Sequence, residues 1–488
     1  MRRKYNKKIS YRILRDLKKR YYYVTSICIV VSLILIFTFI CDDNYGDKTY
    51  LRGYLLDGKQ MAEKGYTGLT RDYSENSVVI YDNKNGKKTI HIYSGPIEFT
   101  RNSISIDKEG YLAEGNYVTT YFPSVFSSSL YNNEETGAFE KISYIDIKAN
   151  GRQDNYINIF QTNTKENFKG ECIENVNIFG QNSMAIQYKN IFGQKSDLYF
   201  YPTIYGVNSE IVIPQKGSTE LYTFRIKVPE MLPDSKTPDY ISIQKKDFED
   251  EILSIISAPL LVDNSGKWSF KGQAKFIEKD YSDGTYIVQF IPDMDFLNDS
   301  NTKYPVVMNQ SFYLAHNNEN ADTTVYSGDN EKNVRHYLSP YLIIGDNTFK
   351  GEGRSLIRFE SLNNININSE DIVSAKYCFR NLFDLPKKAK VELYAVISDW
   401  CSVNTMWNTM PEYDSEKISS VSVLKKGDYS LDITDLLKKM IKSKGDEDSI
   451  YNIRNSFFIK NGTPNSEMIL ASGDNGIFMP CLEIVINM

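Results

Sequence analysis

At 488 residues the chain is too long for one ordinary hydrophobic core, and its 41% hydrophobic content is enough to fill two or three. The net charge of −5 is unevenly placed: the first 40 residues carry +9 and the remaining 448 carry −14, a field that repels nucleic acid and other polyanions. Six scattered cysteines are too few for a disulfide scaffold and match no metal-ligand spacing, which excludes a disulfide-stapled miniature fold and a zinc module.

Residues 1–20 hold ten Lys or Arg against one acid, Asp16, and read as a basic cytoplasmic tail attracted to anionic lipid. Residues 21–40, Y-Y-Y-V-T-S-I-C-I-V-V-S-L-I-L-I-F-T-F-I, carry no charge. Twenty residues at the helical rise cover about 30 Å, the thickness of a bilayer's hydrocarbon layer, and the tyrosines lie at the headgroup end. Bulky Phe39 and Ile40 stand where a signal peptidase or lipoprotein signal needs small residues, so this segment is expected to remain as a transmembrane signal anchor. The expected location is the cell membrane, single-pass, with the N-terminus cytoplasmic and the C-terminal bulk extracellular.

Residues 41–70 read as a juxtamembrane linker with a short helix around Met61. From residue 71 to 312 the pattern is strand-like. Val78–Tyr81 and Thr89–Tyr93 flank D-N-K-N-G-K-K, whose Asn85-Gly86 is a hairpin signal because both residues tolerate positive φ. Short alternating runs and turn residues then recur with few helical periods, and 36 Tyr and 25 Phe suit half-covered sheet faces. The expected fold is mainly β: tandem antiparallel β-sandwich domains behind one N-terminal transmembrane helix.

The last 170 residues hold an ordered set of short motifs. They are A-D-T-T-V-Y-S-G from Ala321, S-L-I-R-F from Ser355, V-S-A-K-Y-C-F-R from Val373, V-E-L-Y-A-V from Val391, S-D-W-C-S-V-N-T-M-W-N-T-M-P from Ser398 and Y-S-L-D-I-T-D-L-L from Tyr429. S-F-F-I-K-N-G from Ser456, A-S-G-D-N-G from Ala471 and P-C-L-E-I-V-I from Pro480 close the series. In this order residues 319–488 resemble a DNRLRE-type module, a β-sandwich family of bacterial surface proteins, with A-S-G-D-N-G in place of the name-giving hexapeptide. Read without the family, Val391–Val396 and Phe457–Ile459 are half-buried strands. Thr434 stands as N-cap of a short helix through Met440 and Ile441.

A second resemblance covers the middle. I-Q-Y-K-N-I-F-G-Q-K-S-D-L-Y-F-Y-P from Ile186, Y-G-V-N-S-E-I-V-I from Tyr205, S-A-P-L-L-V-D-N-S-G-K-W from Ser257, F-I-P-D-M-D-F-L-N-D from Phe290 and Y-P-V-V-M-N-Q-S from Tyr304 are similar to the β-rich segment of wall-associated and Rhs-type YD-repeat proteins.

Catalytic signals are missing. His91 falls in the hairpin, and His316 and His336 fall in polar, linker-like sequence, none with a recognisable partner. Ser127 lacks a nucleophile elbow, and no phosphate loop, zinc signature or calcium loop occurs. Asp293 with Asp295, and Asp432 with Asp435, are carboxylate pairs on paper, better read as turn and helix-cap residues. No catalytic residue, metal site or cofactor is assigned.

Glycan contact, which the module's resemblance implies, needs aromatic faces and directional polar groups. Tyr337, Trp400 and Trp407 supply the first; Arg354, Arg358, Asp399 and Asn408 supply the second. Both indoles also read as packing residues, and Arg358 should point away from Ile357 and Phe359. With 19 basic and 24 acidic residues from Glu319 onward, the module favours a neutral partner over a uronate. One disulfide among Cys378, Cys401 and Cys481 is left open.

The expected function is therefore a membrane-anchored extracellular surface protein with a non-catalytic glycan-binding, adhesive or structural role. Its partners would be cell-wall or extracellular polysaccharide and the membrane through residues 21–40, with no nucleic acid. The alternatives are a polysaccharide lyase or hydrolase with its site in residues 95–312, and a structural component associated with a YD-repeat toxin system.

Overall fold

A computed structural model describes residues 58–487, less the stretches 72–76, 96–103, 128–143, 279–284 and 315–321 and a set of shorter breaks. The basic tail, the apolar segment 21–40 and His316 lie outside the described residues. Among the described residues no helix is long and apolar enough to cross a membrane. Three α-helices are present there: α1 (Gly58–Lys64), which includes Met61 as expected, α2 (Met294–Asn298) and α3 (Thr434–Lys442). Apart from five short 3-10 helices the other regular elements are strands of antiparallel sheets, so the described chain is mainly β and sandwich-like.

Two sheets build the middle region. In one, Tyr222–Lys227 lies between Tyr156–Gln161 and Thr285–Ile291; in the other, Gly206–Ile213 pairs with Val306–Leu314 over eight residues. Strict alternation decides which side chains enter the core. Tyr222, Phe224 and Ile226 are buried while Thr223, Arg225 and Lys227 face outward. Phe224 meets Phe312 of the opposing sheet at 5.9 Å and Phe200 at 6.4 Å, and Phe290 meets Phe312 at 5.8 Å, all edge-on. Such pairs add about 0.5–1.5 kcal/mol each beyond the area they bury. Gly206 (φ 152°) permits the close approach of its strand to Val306–Leu314, because a Cβ there would sit 2.2 Å from the Phe312 carbonyl.

The C-terminal region alternates in the same way. Ile357, Phe359, Phe457, Ile459 and Leu393 enter one core with Tyr377, Leu431 and Leu482, and Leu436, Leu437 and Met440 of α3 close over it. Helix α3 starts one residue earlier than its expected cap implied. Ile433 occupies the cap position with no side-chain bond, and Thr434 is the first helical residue. Asp432 instead accepts from the Thr434 N–H (2.9 Å) and hydroxyl (2.7 Å), and that hydroxyl accepts from the Ala375 N–H at 2.9 Å. A local turn satisfies the helix entrance, and the freed hydroxyl ties the helix to its neighbouring strand. Asp293 caps α2, accepting from the N–H groups of Asp295 and Phe296.

The expected division at residue 71 is not where the sheets divide. The hairpin forms, with Gly86 alone at positive φ (76°), but its strand Lys88–Tyr93 joins the final strand Cys481–Ile486. Six residue pairs run from Lys88↔Ile486 to Tyr93↔Cys481. Ile90 and Ile92 thereby reach the core that holds Leu482 and Ile484, and an otherwise open sheet edge is covered. His91, on the other face of this strand, is buried 3.5 Å from Glu483. His336 is not in solvated linker. It is buried, with its Nε2 3.1 Å from Glu331 and its ring edge-on to Tyr326 at 4.8 Å.

Candidate functional site

The strand Gly351–Arg358 turns Ile357 inward and Arg354, Leu356 and Arg358 outward, as alternation dictates. On that outer face a second, aromatic layer forms from Val325, Leu356, Tyr394, Val396 and Phe458, with Trp400, Trp407, Met410 and Tyr413 laid over it by the segment 396–413. Tyr413 stacks on Phe458 with centroids 4.0 Å apart and planes 9° apart.

Five of the seven expected contact residues meet in this layer, in two unequal groups. Trp400 is only 8% exposed, and its indole N–H is buried without a hydrogen-bond partner among the described residues. The Arg358 guanidinium lies 4.9 Å from that ring and donates to the Trp400 carbonyl, to Ser456 Oγ (3.1 Å) and to Glu360 (3.0 Å). This pair is a clasp holding the segment 396–413 to the sheet, so the sequence expectation that Trp400 offers a stacking face is corrected. Arg354 is gripped by both oxygens of Glu352 (2.8 and 2.9 Å) and sits 4.4 Å from the Trp407 ring. Trp407 is half-buried, and Asn408 beside it is exposed. Asn408 donates from its side chain to Asn333 at 2.8 Å and from its backbone to Lys332, joining this segment to residues 327–337. Asp399 is exposed. Tyr337, 8% exposed, is also corrected: it is buried and presents no open ring.

Sequence reasoning missed a second feature. Where the middle region meets the C-terminal sheet there is a cavity of about 470 Å³. Its apolar floor is Trp268 and Phe270 from one side and Tyr341 from the other, with centroids 5.6 Å apart for Trp268–Phe270 and 5.1 Å for Phe270–Tyr341. At the mouth the Lys271 ammonium rests 3.8 Å over the ring of Phe349, itself 61% exposed. Polar groups line the walls: the Glu331–His336 pair, and Glu467, whose carboxylate accepts from the Asn347 amide. Burial pushes the Glu467 carboxyl above the usual range, with the Asn347 bond opposing. The one available signal was Trp268, the third of only three tryptophans, placed in a turn-rich S-G-K-W.

No metal-binding cluster of three or more His, Cys, Asp or Glu occurs among the described residues. No curated protein matches the chain. A solved structure of a Paenibacillus xanthan lyase aligns at 10% identity over 88% of this chain and 40% of its own, with a TM-score of 0.10, a likeness too slight to carry any argument. The chain thus spans well under half the length of that lyase. About a third of the chain, residues 314–485, matches the family model of carbohydrate-binding module family 96; the matched segment contains the Trp407 face and the C-terminal wall of the cavity.

Proposed function

We propose that this chain is a cell-surface protein that contacts polysaccharide through its C-terminal module and performs no chemistry on it. The observation that carries the reading is the match of residues 314–485 to a carbohydrate-binding family, over a sandwich that leaves half-buried Trp407 next to exposed Asn408. A neutral polymer is the expected ligand. The two arginines on this face are committed to Glu352 and Glu360, so little positive charge is left for uronates. The residues 21–40 would hold the protein in the membrane with its bulk outside. Asp293 and Asp432, the carboxylates that invited an enzymatic reading, are occupied in capping and turn roles, which also supports a binding role.

The test is affinity electrophoresis of the full chain in gels containing a neutral glucan, a uronate polymer or neither. Neutral glucan should retard the protein, and Trp407→Ala should weaken retardation several-fold, on the order of 1 kcal/mol. Retardation by no polymer would refute the binding role, preferential retardation by uronate would refute the charge argument, and release of reducing ends would refute the absence of catalysis. Cell fractionation that finds the full-length product in the cytosol would end the surface assignment.

A further inference from the structure

The cavity at the seam has the chemistry of a carbohydrate site, and half of it lies outside the segment that matches the carbohydrate-binding family. We infer that the middle region and the C-terminal module jointly form a second binding site, which takes a neutral oligosaccharide of roughly two or three sugar rings in its 470 Å³. The inference rests on the glycan-contact reading for its ligand class and not for its location.

Three observations carry it. The floor is one aromatic surface built from both sides: Trp268 and Phe270 come from the middle region and Tyr341, 5.1 Å from Phe270, from the module, so a pyranose lying on it meets rings with its C–H face. Acceptors and donors for hydroxyls stand on the walls in Glu467 with Asn347 and in Glu331 with His336. The charges of the lining balance and give an acidic sugar no net positive partner. Two lysines, Lys271 over the Phe349 ring (3.8 Å) and Lys350 over Tyr326 (5.0 Å), stand against two acids, Glu331 and Glu467. The strand Trp268–Ser269 and the mouth residue Lys271 precede the matched segment by more than forty residues, so the module alone would carry an incomplete site.

The chain's three tryptophans make the test selective. In full-length protein carrying Trp400→Phe and Trp407→Phe, emission comes from Trp268 in the cavity. Titration with neutral gluco-, manno- and xylo-oligosaccharides of two to four residues should shift that emission saturably. Phe349→Ala, at an exposed position that the fold does not need, should weaken the effect about tenfold. Glu467→Gln serves as a second variant with the same shape and should also weaken it. Calorimetry on the unsubstituted chain separates the failures. Binding there with a silent Trp268 and unchanged affinity in Phe349→Ala would overturn the cavity site and leave the glycan-contact reading standing. A tri-uronate that shifts Trp268 emission as strongly as its neutral counterpart would overturn the ligand class. If no neutral saccharide or polymer bound the unsubstituted chain at all, both readings would fall together.

Discussion

Replacing Glu483 by Gln tests whether the N-terminal hairpin is electrostatically clamped to the last strand. Glu483 lies between two neighbouring strands: one oxygen is 3.5 Å from His91 of the hairpin, and the other is 3.1 Å from Lys376, with Lys64 at 3.9 Å. The His91 contact first, then Lys376, hold its carboxyl at about 2 instead of 4.5, against the opposing effect of burial. A drop of that size corresponds to about 3 kcal/mol of native-state preference for the ionised form. That is an upper bound. The His91 contact is at the limit of a hydrogen bond, and Lys376 is 47% exposed, so screening brings the expected loss in Glu483→Gln to roughly 1–2 kcal/mol at pH 7. The sign is fixed: a depressed carboxyl stabilises the fold above its unfolded value and loses that contribution as pH falls from about 4.5 through about 2. Urea unfolding of both proteins at pH 7, 4.5, 3 and 2 should show a stability gap that is full at pH 7 and closes across the acidic range. A gap independent of pH would refute the clamp and point to a packing defect.

Three further outcomes are expected. Asp322 behaves oppositely to Glu483: burial first, then the nearby Asp474, drive its carboxyl well above the usual range while the Gly473 N–H opposes, so Asp322→Asn should raise the thermal midpoint at pH 8 and give no gain at pH 4. An equal gain at both pH values would count against burial of its charge as the cause. Asp263 accepts from the N–H groups of Ser265, Lys267 and Lys303 and from the Ser265 hydroxyl, bonds that together outweigh the upward push of burial; Asp263→Ala should cost about 2–3 kcal/mol in denaturant unfolding, and a loss below about 0.5 kcal/mol would show the turn to be dispensable. Cys378 and Cys481 face each other in register on adjacent strands, so an excess of oxidised glutathione should convert them to one intramolecular bridge, releasing two reduced glutathiones. Peptide mass mapping should find the pair two hydrogens lighter, and stable glutathione adducts on either cysteine would contradict that pairing.

Local structure was legible because it depends on near neighbours in the chain. Alternation set Arg358 opposite Ile357 and Phe359. The capping reading at Thr434 placed α3 within a residue, and the Asn-Gly pair marked the hairpin turn at Gly86. The fates of Trp400 and Trp407 were not legible. They are seven residues apart in one polar segment, and only the way that segment folds over Phe458 buries one and leaves the other half open.

Sequence by itself determined which residues can be strands, which faces are apolar, and where charge is absent. Tertiary structure decided which strand edges meet. A strand's backbone donors and acceptors are the same whatever its side chains, so nothing local directs Lys88–Tyr93 to a partner almost four hundred residues away. That choice is made by the shared core that Ile90 and Ile92 fill with Leu482 and Ile484, and by the cost of leaving the final strand's edge unpaired. The cavity is settled the same way: Trp268 and Tyr341 join one floor only because the middle region packs against the C-terminal sheet.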